Sequence, residues 1–252
     1  MMKIYFAVPT HNNTLTVETA VTMLNLSMKG PEERVQFHFM FHSASIISHL
    51  RNTIIADFLA GDFTHVFMLD SDQGFDYSRF FRMLTSDYSV VGILYPRRNF
   101  EWSQFNPVKP VNSINDVLSQ GIRFVGDVKL DAAGTIKIEN GFTQAVNVGT
   151  GALLIKREAI LRLMAHYPEL QGQGFPDEDE NLPRQDYNWG FFNPMVKAAD
   201  GMNAGEDIGF CKRWSDCGGE IWAEVMTDSI HVGRYKFSGN YVSPLKSIGV
   251  LG

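Results

Sequence analysis

HVFMLDSD, residues 65–72, decides how the rest of the chain is read. Four successive apolar residues, Val66 to Leu69, mark a strand covered on both faces, and such strands lie inside sheets flanked by helices. The run ends on two carboxylates one residue apart, Asp70 and Asp72. Open α/β sheets bind ligands at the carboxyl ends of their strands, and residues i and i+2 of an extended chain point to one side. The segment therefore predicts a central strand and, at its end, two oxygen ligands able to face one cation.

Working outward, KIYFAVP (Lys3 to Pro9) gives a first strand. The polar cluster Thr10 to Thr14 opens a helix to about Met28, with Val17, Val21, Leu24 and Met28 on one face and Gly30 at the stop. RVQFHFMF (Arg34 to Phe41) is a second strand, and Ile47, Leu50, Ile54 and Phe58 define a helix from about Ile46 to Leu59 that ends at Gly61. A short helix near Tyr77 to Thr85 and the strand SVVGILY follow the aspartates. Alternating strands and helices predict an α/β fold with a largely parallel sheet.

From Pro96 the pattern changes to an irregular stretch containing Pro107 and Pro110, then a hairpin in DVKLDAAGTIKIE turning at Ala132 to Gly134. The sheet is therefore expected to become mixed. NVGTGALLIKREAILRLMAHYP supplies a Gly-rich turn, Val148 to Gly151, then a strand and a helix ended by Pro168. Residues Gln171 to Gly201 read as a long loop with an acidic run and the aromatics Tyr187, Trp189, Phe191 and Phe192, which either stack on a ligand or anchor the loop. A helix from about Ala204 to Asp216, the strand EIWAEV and the tail DSIHVGRYKF close the pattern.

The 252 residues, 44% hydrophobic, suit one large domain. With 22 Lys+Arg against 28 Asp+Glu the net charge is −6, which gives no general attraction to nucleic acid or anionic membrane. A phosphorylated ligand would need a local cation. Cys211 and Cys217 fall on different turns of one helix, so a disulfide is not expected. Lys3 and Tyr5 interrupt any apolar leader, and no run approaches the roughly 18 apolar residues of a membrane span. A soluble, cytoplasmic chain is the expectation.

Hard oxygen ligands such as Asp70 and Asp72 suit Mn²⁺ or Mg²⁺, which keep positions open for phosphate oxygens. Spacing alone does not make the site: Asp177 and Asp179 have it too, inside the acidic loop. In GEDIGFCKRW, Glu206 and Asp207 begin a helix, where the dipole favours acids, and either could accept the proton of an acceptor hydroxyl. Gly205 lets the backbone come close. His231 could complete a metal shell, and Arg234 and Lys236 could neutralise a leaving diphosphate. Arg51 and Asn52 precede the aspartates on a helix, where a surface ion pair is the plain explanation.

In order, PTHN after the first strand, LRNTIIADFL, VFMLDSDQGF, VGTGALLIKREA, GEDIGFCKRW and the late His231 resemble GT-A fold glycosyltransferases from Lys3 to about Lys236. The likeness is to family 2 type enzymes, to viral and phage glycosyltransferases, and to fungal mannan-polymerase subunits with a comparable Arg-Asn helix. It implies one Rossmann-like GT-A domain with a mixed, mostly parallel sheet flanked by helices. Residues 1–95 would form the nucleotide-binding half and 96–252 the acceptor-binding half. It further implies that Asp70 and Asp72, with His231, hold Mn²⁺ and a donor diphosphate, that Pro9 and Thr10 cradle the nucleotide base, and that Asp207, with Glu206 beside it, is the base. Arg51, Arg234 and Lys236 join the donor-binding set. The implied partners are a UDP- or GDP-sugar and a glycan or other hydroxyl acceptor. The late Gln-x-x-Arg-Trp of family 2 is missing, which leaves inverting and retaining chemistry both open.

Three other readings compete. A haloacid-dehalogenase-like phosphatase uses Asp-x-Asp with the first Asp as nucleophile, but on the first strand. A sugar nucleotidyltransferase needs a Gly-rich basic loop where this chain has PTHNNT. A non-catalytic carbohydrate-binding domain would not require Asp72, Asp207 and His231 together.

Overall fold

The computed structural model describes residues 1–104, 120–175, 183–196, 203–226, 228–234 and 236–242. Asp177, Asp179, Pro107 and Pro110 lie outside the described residues. The first half alternates as expected: β1 (Met2–Thr10), α1 (Val17–Lys29), β2 (Val35–Ser43), α2 (Ile47–Ala60) and β3 (His65–Leu69). A short β4 (Gln73–Phe75) and α3 (Tyr77–Thr85) follow, and the stretch SVVGILY divides at Leu94 into β5 (Val90–Ile93) and the start of β6 (Tyr95–Phe100). The second half contributes β7 (Ile122–Val128), β8 (Phe142–Val148), β9 (Ala152–Lys156), α4 (Arg157–His166), the small pair β10 (Met195–Val196) and β11 (Asn203–Ala204), α5 (Glu206–Asp216) and β12 (Ile221–Glu224). The tail forms β13 (Ser229–Val232) and β14 (Lys236–Gly239).

Nine strands form one sheet in the order β2-β1-β3-β9-β5-β12-β8-β7-β6. Following the pairings outward from β1, strands β2, β1, β3, β5, β12 and β7 run one way and β9, β8 and β6 the other. This is the mixed, mostly parallel α/β sheet flanked by helices that the sequence predicts. The residues between β7 and β8 make the expected turn, with Asp131 accepting from the backbone of Ala133 and Thr135.

Strand periodicity divides the core in two. Ile4, Phe6 and Val8 of β1, with Phe67 and Leu69 of β3, join Leu26 of α1 and Phe80 of α3 on one face. Tyr5, Ala7, Val66 and Met68 face the other way, against Ile54 and Phe58 of α2, Ile160 of α4 and Phe210 and Trp214 of α5. Each such side chain contributes roughly 1.5–3 kcal/mol on burial, which is why β3 sits centrally. Cys211 and Cys217 are both free thiols, and burial raises the Cys211 thiol to about 12. No helix among the described residues is long and apolar enough to cross a membrane.

α1 departs from expectation. Val17, Val21, Leu24 and Met28, expected on the buried face, are exposed, and the inward residues are Thr19, Thr22 and Leu26. The cause is polar: Thr19 Oγ1 donates to the Gln73 carbonyl at 2.8 Å, and Thr22 exchanges hydrogen bonds with the Phe75 backbone at 3.2 and 3.1 Å. The helix's hydroxyls thus satisfy strand β4, whose backbone groups would otherwise be buried without partners. The other edge of β4 pairs with β13, and β13 with β14, in a second, three-stranded sheet that brings the tail back to the aspartates.

Candidate active site

β3 ends at Leu69, one residue before the aspartates, and the chain then turns: the Gln73 amide donates to the Asp70 carbonyl at 3.1 Å. Strand alternation therefore does not aim both carboxylates at one point, as the sequence suggested. Asp70 faces Arg51, whose Nη2 lies 3.1 Å from Oδ1, and Asp72 faces Arg98 and His231. Both still line one cleft of about 200 Å³, together with Pro9, Thr10, His11, Ser45 and Arg51. The Thr10 hydroxyl is already committed, donating to the His42 carbonyl at 3.1 Å.

Arg51 is not a surface residue. It is buried on α2, and the same guanidinium donates through Nη1 to Glu206 Oε1 at 2.6 Å, while its Nε has no partner. Taking two carboxylates and a guanidinium out of water is costly unless they pair, and here two acids share one cation. Burial pushes Asp70 above the usual carboxylate range, opposed by Arg51 and reinforced by Asp72. Asn52, the next residue, is fully buried and faces the long loop. Its amide holds the Gly174 carbonyl, Asn193 Oδ1 and the Phe192 amide at 3.0, 2.8 and 2.8 Å. Trp189, Phe191 and Phe192 are buried as loop anchors, Phe192 stacked on Phe210 at 4.6 Å.

Asp207, in the first turn of α5, accepts from the Ile208 amide at 2.7 Å. Burial first, and Glu206 next, raise its pKa above the ordinary aspartate value, while that hydrogen bond and Arg51 oppose the rise. Glu206 is occupied by Arg51, so the two adjacent acids differ: one is fixed in an ion pair, and the other accepts a single backbone amide.

His231 lies in β13, with Nε2 3.5 Å from Asp72 Oδ2 and Nδ1 2.8 Å from the Pro96 carbonyl. A carbonyl only accepts, so Nδ1 carries a proton and Nε2 is the nitrogen turned toward Asp72. Nε2 thus faces Asp72 Oδ2, which also accepts from Arg98 Nη1 at 2.8 Å, and an imidazole held from behind by a carbonyl is oriented as metal-binding imidazoles are. Gln73, the cross-strand neighbour of His231, has its buried amide nitrogen without a partner. Asp72 and His231 could hold a divalent cation between them if Arg98 gave way, although among the described residues no group of three His, Cys, Asp or Glu side chains is arranged around a common point.

Two residues escaped the sequence reading. Arg98 on β6 donates to Asp72 Oδ2 at 2.8 Å and is half exposed at the site. It occupies the position expected of Lys236, which instead pairs with Glu18 of α1 at 2.6 Å; Arg234 lies exposed on the bend before β14. Tyr95 is buried beneath the site, its ring edge-on to His231 at 5.3 Å and its hydroxyl accepting from the Gly151 amide at 3.3 Å. This explains the glycines of the VGTG turn: a Cβ on Gly149 would collide with the Tyr95 hydroxyl, and one on Gly151 would stand 2.8 Å from the ring. They make room for an aromatic side chain of the protein itself.

Fold and cleft together define a Rossmann-like α/β protein with an acidic cleft at the carboxyl edge of its sheet. No protein-family profile and no curated protein sequence matches the chain. Among solved structures it is similar to A197 from STIV, 13% identical over 96% of this chain and 92% of that one, with a TM-score of 0.46. It is also similar to the catalytic domain of Drosophila beta1,4galactosyltransferase 7 in complex with xylobiose, 14% identical over 89% of this chain and 65% of that one, TM-score 0.44. A third likeness is to mannose-1-phosphate geranyltransferase from Thermus thermophilus, 10% identical over 66% and 61%, TM-score 0.37. Likeness at this level assigns no activity.

Proposed function

We propose that the chain is a metal-dependent glycosyltransferase that moves a sugar from a UDP- or GDP-sugar to an acceptor hydroxyl. The observation that carries this reading is the facing pair of Asp72 and His231, its imidazole fixed from behind by the Pro96 carbonyl, at the rim of a cleft ending β3. Asp72 and His231, with Asp70 beside them, would hold Mn²⁺ or Mg²⁺, which when bound supplies positive charge against the donor's diphosphate. Pro9 and Thr10, which line the cleft, would receive the nucleotide base.

In the proposed transfer the acceptor oxygen forms a bond to the anomeric carbon as the bond from that carbon to the diphosphate oxygen breaks. The diphosphate leaves with the electron pair, and the acceptor proton passes to Asp207. A raised pKa suits Asp207 to this role, since a base works best when its pKa approaches the working pH. Arg98 turns from Asp72 to the leaving diphosphate, where a guanidinium stabilises developing charge. Arg51, at the wall of the cleft, holds Asp70 and Glu206 in place through its two Nη groups. A phosphatase with Asp70 as nucleophile fits less well, because Arg51 contacts both Asp70 oxygens, at 3.1 and 3.4 Å.

The test is a screen of nucleotide sugars for slow donor hydrolysis with and without Mn²⁺. Release of UDP or GDP from one donor, dependent on the metal, supports the reading. Phosphate release from simple phosphoesters with no nucleotide-sugar turnover overturns it.

A further inference from the structure

The exposed face of α1 has the spacing of a helix–helix seam. Val17 and Met28 are each 73% exposed, Leu24 62% and Val21 48%. Their separations of four, three and four residues are the a/d repeat of two heptads, which presents one apolar line along a helix. A line this regular on a water-facing helix marks an interaction surface. At its N-terminal end, Val17 and Val21 also wall a groove of about 460 Å³, floored by Phe75 and Ile230 and flanked by Met226. Asp76 and Asp228 stand exposed at its rim.

We propose that this surface is the interface of a two-fold dimer in which α1 packs antiparallel on α1 of a second copy. A two-fold axis between Val21 and Leu24 sets Val21 against Leu24 of the partner subunit and Val17 against Met28 of the partner subunit, so the seam is self-complementary, as an isologous contact requires. The partner's Met28 then lies over the groove, where an unbranched thioether fits an irregular gap. Charge selects the antiparallel direction. Lys29, in the last turn of α1, is carried to the end of the other copy where Asp76 and Asp228 lie exposed, whereas a parallel pair sets Lys29 against its own copy and those acids against each other. The present partner of Lys29 is Glu32 on the surface, a pair of small worth that exchanges readily. Ile230 faces the groove while its neighbour His231 faces Asp72, so the dimer leaves the cleft open, and its test is independent of the proposed reaction.

Sedimentation of the full chain across the micromolar range is the experiment. The wild-type chain is expected as a dimer, and Leu24→Glu is expected to raise the dimer dissociation constant about 30-fold, the effect of losing a central apolar contact. Leu24 is exposed in the monomer, so the variant should unfold at the temperature of the monomeric wild type. Direction is read by cross-linking: oxidised mixtures of Val17→Cys and Met28→Cys chains should form a disulfide between copies, and Met28→Cys alone should not. A monomer at every concentration overturns the proposal, whether the seam is then covered by the chain's own residues or by another ligand. So does a dimer indifferent to Leu24→Glu, or one that cross-links through Met28→Cys alone.

Discussion

Arg51 of α2 and Glu206 of α5, 155 positions apart in sequence, meet at 2.6 Å. Because the other arm of the guanidinium holds Asp70 at 3.1 Å, the end of the central strand and the start of the helix bearing Asp207 share one buried cation. Arg51→Met leaves both acids unpaired and is expected to cost roughly 3 kcal/mol or more in urea unfolding, the usual effect of removing one member of a buried ion pair. Glu206→Gln should cost less. The double variant should fall short of the sum by about 1–3 kcal/mol, since contacting residues are not additive. Strict additivity would mean that the two do not act as a unit.

In the proposed site Arg98, 2.8 Å from Asp72 Oδ2, and a divalent cation would compete for Asp72. Arg98→Ala is therefore expected to bind Mn²⁺ more tightly in the absence of nucleotide, while its affinity for UDP or GDP at saturating Mn²⁺ falls about tenfold, the worth of one charge-assisted contact. Calorimetry of each ligand separately makes the comparison. Parallel weakening of both would place Arg98 in a structural role.

Asp207→Asn keeps size and the Ile208 contact but removes the proton acceptor. Donor binding should be unchanged, and turnover to an acceptor should drop on the order of 10²–10⁴-fold. A variant with full turnover would assign the proton elsewhere and favour a mechanism that needs no enzymic base.

Stability should fall on the acid side of neutrality. Burial in β3, with Lys156 next in effect, lowers the pKa of His65 from 6.5 to about 4, and its Nε2 has no partner. Between those values the unfolded chain takes up a proton that the folded chain refuses, so this contribution is whole above about pH 6.5 and is lost as pH falls toward 4. From pH 7 to 5 the loss assigned to His65 is roughly 2 kcal/mol. Unfolding curves of wild type and His65→Met at the two pH values measure it, and equal losses in both would remove His65 from the account.

The order of strands and helices was legible because each is written locally, in apolar runs and their stops. β3 was readable from Val66 to Leu69, and α2 from the helical spacing of Ile47, Leu50, Ile54 and Phe58. The face of α1 was not: its apolar residues keep helical spacing, but its inward side is made of threonines that bond to β4, and periodicity does not distinguish a core from an interface. The candidate site divides the same way. Asp70, Asp72, Glu206, Asp207 and His231 stood out by residue type and position, and the fold brings them to one region. Arg98 and Tyr95 carried no signal, since they matter only because the tail returns as β13 beside β6. Lys236 had the right charge but lies beyond the end of β13, and the turn into β14 carries it to Glu18.

Asp72, opposite His231, is proposed to hold the cation that holds the diphosphate. Thermal unfolding with UDP or GDP, with and without Mn²⁺, tests it in the wild type and in Asp72→Ala. The expected result is a rise in melting temperature that requires nucleotide and metal together and disappears in Asp72→Ala. A nucleotide-induced rise that needs no metal and survives Asp72→Ala contradicts it.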